Sequence, residues 1–214
     1  MTALLLSLTA LISYFFGSIS TPILTSNLYF HSNIRRYRLD NPSITQFSRR
    51  YGRRGYFVLF GTEIVKTLIP VLIGHFLLLI VDHADIGRAL ALFCVVLGTN
   101  FPLMYRFKGV PSLVAFFVGI LAVSAELALA FAVALVAVYF VTRYVSLSVL
   151  SASLFVSLVT IMTVDTDIVR YLIFLTVLLV FIEYRHSIVR LLKGKEEKFI
   201  YRKDLSYMFD EDRF

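Results

Sequence analysis

One cysteine, no tryptophan, five prolines and a charged fraction of 16% are all that 214 residues provide of these types. A lone thiol excludes a disulfide scaffold and a cysteine-built metal site. Cys94 lies in an apolar run, where an inert buried thiol is expected. Soluble domains carry about 25% charged residues, so this chain is too poor in charge for that class. It is also too apolar, at 58%, to be disordered. The sequence holds no H-E-x-x-H, no G-x-S-x-G and no P-loop, and no histidine is followed four residues later by aspartate. No metal and no organic cofactor is therefore expected. The net charge of +7 raises nucleic acid as a partner, but the bases lie in loops between apolar runs, and no such partner is expected.

Those runs define the class. A spanning helix needs about 20 apolar residues, and residues 3–25, 56–80, 87–105, 145–163 and 168–184 each supply a candidate. Residues 113–141 are interrupted only by Ser124 and Glu126, a length awkward for one span and short for two. Hydropathy alone permits six or seven helices. Arginine and lysine gather on the cytoplasmic side of a membrane, and their placement decides the count. Arg35, Arg36, Arg38, Arg49, Arg50, Arg53 and Arg54 follow the first run, and the next loop has Asp82 and Asp85. Then come Arg106 and Lys108, Glu126, Arg143, the pair Asp165 and Asp167, and finally Arg185, Arg190, Lys193 and Lys195. Basic and acidic loops alternate without a break if the 113–141 run is split near Ser124–Glu126.

The expectation is an all-α integral membrane protein with seven transmembrane helices, N-terminus outside and C-terminus cytoplasmic. Residues 1–194 form the membrane domain, and residues 195–214 a polar cytoplasmic tail. The N-terminus lacks the basic start and small-residue cleavage site of a removed signal. The Arg-rich stretch 31–54, with Tyr37, Leu39, Ile44, Phe47 and Tyr51 among its bases, suits a short interfacial helix.

Ionisable and polar groups inside spans are the best pointers to function. Glu63 and Lys66 lie three apart and share a helix face. They read either as a self-satisfied pair or as the floor of a cytoplasm-facing site. His75 reads as interfacial or hydrogen-bonded to a neighbouring helix. Asn100, before Phe101-Pro102, reads as a helix broken near the cytoplasmic face, which is tolerated where backbone lines a cavity or is buried in protein. In the cytoplasmic loops, Thr45, Gln46, Ser48, Arg49, Lys108, Gly109, Arg185 and His186 supply what an anionic substrate needs. The same bases also suit a surface that touches anionic headgroups.

Several segments stand in a familiar order: Tyr14-Phe-Phe-Gly-Ser18, Glu63-Ile-Val-Lys66 and Val96-Leu-Gly-Thr-Asn-Phe-Pro102. Arg106-Phe-Lys-Gly109, Arg143-Tyr-Val-Ser-Leu147 and Tyr184-Arg-His186, followed by Leu-Leu-Lys-Gly194, complete it. In these the chain resembles the bacterial acyl-phosphate:glycerol-3-phosphate acyltransferases, the PlsY family, over about residues 10–199. The resemblance implies a seven-helix enzyme of the bacterial plasma membrane. It passes an acyl chain from an acyl phosphate to the 1-hydroxyl of glycerol 3-phosphate, with membrane lipids around it.

The resemblance further implies that Arg49, Lys108 and Gly109 bind phosphate, that Asn41 and Thr45 shape the first loop, and that His186 is the titratable catalytic group. Glu63, Lys66 and Asn100 would support the site. The family's G-S-G-N-x-G-A-T-N-x-x-R is here Arg38-Leu-Asp-Asn-Pro-Ser-Ile-Thr-Gln-Phe-Ser-Arg49, and K-G-G-K-G is Lys108-Gly-Val-Pro-Ser112. The family's third-span histidine is Thr99, and its asparagine after His186 has no counterpart. Leu39, Pro42, Val110 and Pro111 take away glycines, a serine and backbone N–H groups that would face phosphate. Standard transfer is therefore expected to be weak or absent. The alternative is a re-purposed relative that binds a lipid or polyprenyl phosphate, or serves as a membrane subunit with a protein partner.

Overall fold

The computed structural model describes residues 1–31, 44–103, 109 and 113–193, with the side chains of residues 44–46 and 48–50 left aside. All regular structure among the described residues is helical. In chain order the helices are α1 (Thr2–Ser18), α2 (Thr21–Tyr29), α3 (Ile44–Leu79), α4 (Ala84–Asn100), α5 (Leu113–Val123), α6 (Ala125–Thr142), α7 (Val145–Thr163), α8 (Asp167–Glu183) and α9 (Arg185–Leu192). In hydrocarbon no water satisfies backbone N–H and C=O groups, so a chain this apolar closes its hydrogen bonds within helices.

The first apolar run, expected as one span over 3–25, is broken. Ile19 and Ser20 are extended, and α2 leaves α1 at 63°. Pro22, in the first turn of α2, suits a helix start because its missing N–H would have no helical partner there. Within the Arg-rich stretch, the residues from Ile44 to the Gly52 kink form a short helix of their own. The non-helical backbone at Gly52 separates that short helix from the apolar part of α3. Gly52 has φ 66°, a left-handed value that glycine adopts without a Cβ penalty. The remainder of that stretch lies largely outside the described residues.

The 113–141 run splits where Ser124 interrupts it. The Ser124 hydroxyl accepts from the Leu127 amide at 3.4 Å and caps α6, and Glu126 places its negative charge in the first turn. Phe116 and Phe131, with ring centroids 5.2 Å apart, are nearly equidistant in sequence from this break, so α5 and α6 fold back on one another.

Helix α4 is central, touching α1, α3, α5 and α8. On one side, Leu92 and Val96 of α4 join Phe116, Ile120, Phe131, Ala152, Val156, Ile173 and Val177 in an apolar core. On the other side the packing is small and hydroxylated: Thr9, Ser13, Gly17, Ser18, Thr67 and Gly98 line the seam of α1, α3 and α4. Small residues let helix backbones approach closely in membranes. Here a Cβ at Gly98 would stand 2.5 Å from the Tyr14 carbonyl oxygen, and one at Gly17 would meet the Val95 carbonyl. The hydroxyls of Thr9, Ser18, Thr67 and Thr99 return hydrogen bonds to carbonyls four residues back, so the seam carries polar atoms at little cost.

At the starts of α4 and α8, Arg88 pairs with Asp85 and donates to the Ala122 carbonyl at 3.3 Å. Arg170 pairs with Asp167 and donates to the Val164 carbonyl at 2.7 Å. The opposite ends of α1, α4 and α8 meet at the site described next. Among the described residues, three helices are long and apolar enough to cross a membrane, or up to five if each bent pair is one span, and α5 is a shorter apolar helix. Phe140, Val141, Leu158 and Met162 are among many large apolar side chains on the outside, a surface matched to lipid.

Candidate functional site

Lys66 and Glu63 sit on the inner face of α3, with 8% and 6% of their surface exposed. Their charges stand 3.7 Å apart. The pair is not wholly self-satisfied, because Lys66 Nζ also donates to the Ile19 carbonyl at 3.1 Å, at the break between α1 and α2. One end of α1 is tied to the end of α4. The Tyr14 hydroxyl donates to the Phe101 carbonyl at 2.7 Å, and Thr99 Oγ1 reaches the Gly17 carbonyl at 3.4 Å. The hydroxyls of Ser13 and Thr21 are enclosed on this side of the bundle without a hydrogen-bond partner among the described residues.

Helix α4 stops at Asn100, as the Asn-Phe-Pro sequence led one to expect. The Asn100 side chain lies between α4 and the end of α8. Turned with its nitrogen toward α8, the amide donates to both Glu183 carboxylate oxygens at 3.2 and 3.3 Å. That orientation is the favoured one, since a carboxylate only accepts. Asn100 thereby offsets an acid placed at a helix C-terminus, where the helix dipole disfavours negative charge.

Gly109 lies against the carbonyls of Thr99 and Asn100, with no room for a side chain: a Cβ would overlap both oxygens. The glycine after Lys108 is thus fixed by this close approach to the end of α4. His186 is exposed on α9, three residues beyond Glu183, after a 57° bend. Arg143 caps α6 in the left-handed region, and α9 packs against α7 just beyond it.

The structure therefore brings Glu63, Lys66, Asn100 and Gly109 together around the ends of α1, α4 and α8, with His186 one helix bend away. Thr45 and Arg49 lie on the opening turns of α3, and their side chains are not among those described. Asn41 and Lys108 lie outside the described residues. Sequence reasoning missed the Ile19 carbonyl and Glu183 as members of the site. An acid closing an apolar run was a readable signal for Glu183. His75, at the other end of α3, meets Phe76 edge-on at 5.3 Å, and its Nδ1 has no hydrogen-bond partner among the described residues.

These features define a multi-pass helical membrane protein with the buried Glu63–Lys66 pair and the Asn100–Glu183 contact between its helices. The family model described as glycerol-3-phosphate acyltransferase matches residues 7–194, and the chain belongs to that family. It is 31% identical over 192 residues to the glycerol-3-phosphate acyltransferase of Thermoanaerobacter sp. (strain X514), covering 89% of this chain and 94% of the relative. It is 26% identical over 198 residues to that of Macrococcus caseolyticus (strain JCSC5402), covering 92% and 99%.

Two crystal structures of PlsY, an integral membrane glycerol 3-phosphate acyltransferase, share the fold at 22% identity and a TM-score of 0.75. The lysophosphatidic acid form covers 91% of this chain and 95% of its own, and the glycerol 3-phosphate form 96% and 99%.

Proposed function

We propose that this chain is a seven-span acyltransferase of the bacterial plasma membrane that moves an acyl group from an acyl phosphate to glycerol 3-phosphate with a weakened phosphate grip. The observation that carries the reading is the gathering of Tyr14, Glu63, Lys66, Thr99, Asn100 and Gly109, from four separate motifs of the family, at one end of the bundle. The spans are α1 with α2, then α3, α4, α5, α6, α7 and α8. The N-terminus lies outside. The first loop, the 101–112 loop, Arg143 and the tail lie in the cytoplasm, as the arginine and lysine distribution requires. Residues 195–214 form the polar tail.

In this reading Arg49 and Lys108 hold phosphate, Gly109 fits against the carbonyls at the end of α4, and Asn41 and Thr45 shape the first loop. The 1-hydroxyl oxygen of glycerol 3-phosphate bonds to the acyl carbon, the acyl–phosphate C–O bond breaks, and inorganic phosphate leaves. His186 takes the hydroxyl proton and passes it to the departing phosphate. The family's second lysine would give phosphate a charge-assisted hydrogen bond worth about 1.5–3 kcal/mol, and this chain does without it. A Michaelis constant about tenfold or more above that of a relative with intact loops follows.

Purified protein given acyl phosphate and radiolabelled glycerol 3-phosphate should yield 1-acylglycerol 3-phosphate. No product, together with saturable binding of a phosphate-bearing lipid, would replace the transferase with a lipid-binding relative.

A further inference from the structure

A helix that ran straight through residues 18–23 would satisfy the Ile19 carbonyl from the amide of residue 23. The break withdraws that donor, because Ile19 (φ −72°, ψ 123°) and Ser20 (φ −74°, ψ 106°) are extended. An unpaired carbonyl at this depth is costly in a membrane. The replacement donor comes from another helix: Lys66 Nζ reaches the Ile19 oxygen at 3.1 Å, while Glu63 supplies the countercharge at 3.7 Å.

What hangs on the break is the direction of α2. That helix lies along α3, with Thr25 Oγ1 3.4 Å from Thr62 Oγ1 and Ile23 packed with Phe47 and Leu59. Just past its end, Phe30 stacks on Tyr51 with ring centroids 4.2 Å apart and meets Phe47 edge-on at 6.0 Å. Phe47 and Tyr51 belong to the opening segment of α3, before the Gly52 kink, and that segment carries Thr45 and Arg49.

We propose that Lys66 is a positioning residue: by holding the Ile19 carbonyl it fixes the bend between α1 and α2, and through α2 it places Thr45 and Arg49 for glycerol phosphate. The second half of this statement rests on the acyltransferase reading, and the first half does not. The pair is then more than an ion pair that packs helices. Glu63 stands 3.7 Å from the ammonium, and the lysine substitutes for a missing turn of helix.

The test separates the two halves. In a Cys94→Ser background, Thr25→Cys with Thr62→Cys should form a disulfide readily under mild oxidation. Adding Lys66→Met should slow that reaction about tenfold or more, the value of a hydrogen bond from a charged group. Lys66→Arg, which still reaches the carbonyl, should restore it. The double variant Glu63→Gln/Lys66→Met removes the carboxylate's charge together with the lysine's and should cross-link as slowly as Lys66→Met, which guards against misfolding of the single variant.

On the chain without introduced cysteines, Lys66→Met should raise the Michaelis constant for glycerol 3-phosphate by a similar factor and leave that for acyl phosphate in place. Cross-linking at the parent rate in both methionine variants overturns the proposal, and so does slowed cross-linking with an unchanged Michaelis constant. A parent protein that neither turns over nor binds glycerol 3-phosphate sinks the acyltransferase reading, and the cross-linking alone then decides whether Lys66 sets the bend.

Discussion

Gly98→Ala is the smallest change that should disturb the site without touching a polar residue. The added methyl carbon would stand 2.5 Å from the Tyr14 carbonyl oxygen, 2.9 Å from the Ser18 nitrogen and 3.0 Å from the Gly17 carbonyl carbon, all backbone atoms. Ordinary contact begins near 3.4 Å, so α1 and α4 must separate by ~0.9 Å to relieve the repulsion. No side-chain rotation can absorb that. Overpacking of this kind costs about 1–3 kcal/mol.

The displaced segment ends at Thr99 and Asn100, which bond to Gly17 and Glu183 and support Gly109. A misplacement of about 1 Å at a positioned site costs on the order of a hundredfold in rate. Melting in detergent should therefore shift downward, and kcat/KM for acyl transfer should fall about a hundredfold. Gly61→Ala is the matched control, since a Cβ there meets nothing within 4 Å. It should keep the parent rate and gain up to about 1 kcal/mol from helix propensity. Parent-like stability and rate in Gly98→Ala would refute the close-approach argument for the α1–α4 seam.

Two further outcomes follow from the architecture. Ser124→Ala removes the cap that starts α6 and should lower stability by about 0.5–2 kcal/mol in detergent melting, with no effect on substrate Michaelis constants. In the Cys94→Ser background, cysteines at positions 45 and 205 should resist an impermeant reagent in intact cells while one at position 84 is labelled, and labelling at 205 would sink the seven-span arrangement.

The parts of the molecule that were legible in the sequence are those set by local chemistry. Ser124 and Glu126 in an otherwise apolar run marked a helix start, and the run divides there. Asn100-Phe-Pro marked a helix end, and α4 stops at Asn100. The spacing of Glu63 and Lys66 gave their pairing. The break at Ile19–Ser20 was hidden because hydropathy averages over it: Ile19, Pro22 and Ile23 keep the run apolar, and Pro22 was the one sign of a new helix. The second partner of Lys66 is a backbone carbonyl, which no side-chain pattern announces. Asn100 and Glu183 meet only because α4 and α8 end side by side, a tertiary fact. The loops that carry Asn41 and Lys108 lie outside the described residues, so their roles rest on the family motifs.

The central claim is that an anion grip survives in loops that have lost much of the family's glycine framework. Most bases of the first loop are accounted for by topology and headgroup attraction, each worth about 1 kcal/mol near an anionic surface. Arg49 and Lys108 fall where the family motif has its arginine and a lysine. The most direct measurement compares Arg49→Ala, Lys108→Ala, Arg36→Ala and Arg54→Ala for binding of glycerol 3-phosphate and for its Michaelis constant. Arg49→Ala and Lys108→Ala should each weaken binding about tenfold or more, and Arg36→Ala and Arg54→Ala should change it little. Equal, small losses in all four variants would mean that the basic loops are a membrane-facing surface and that the phosphate site is gone.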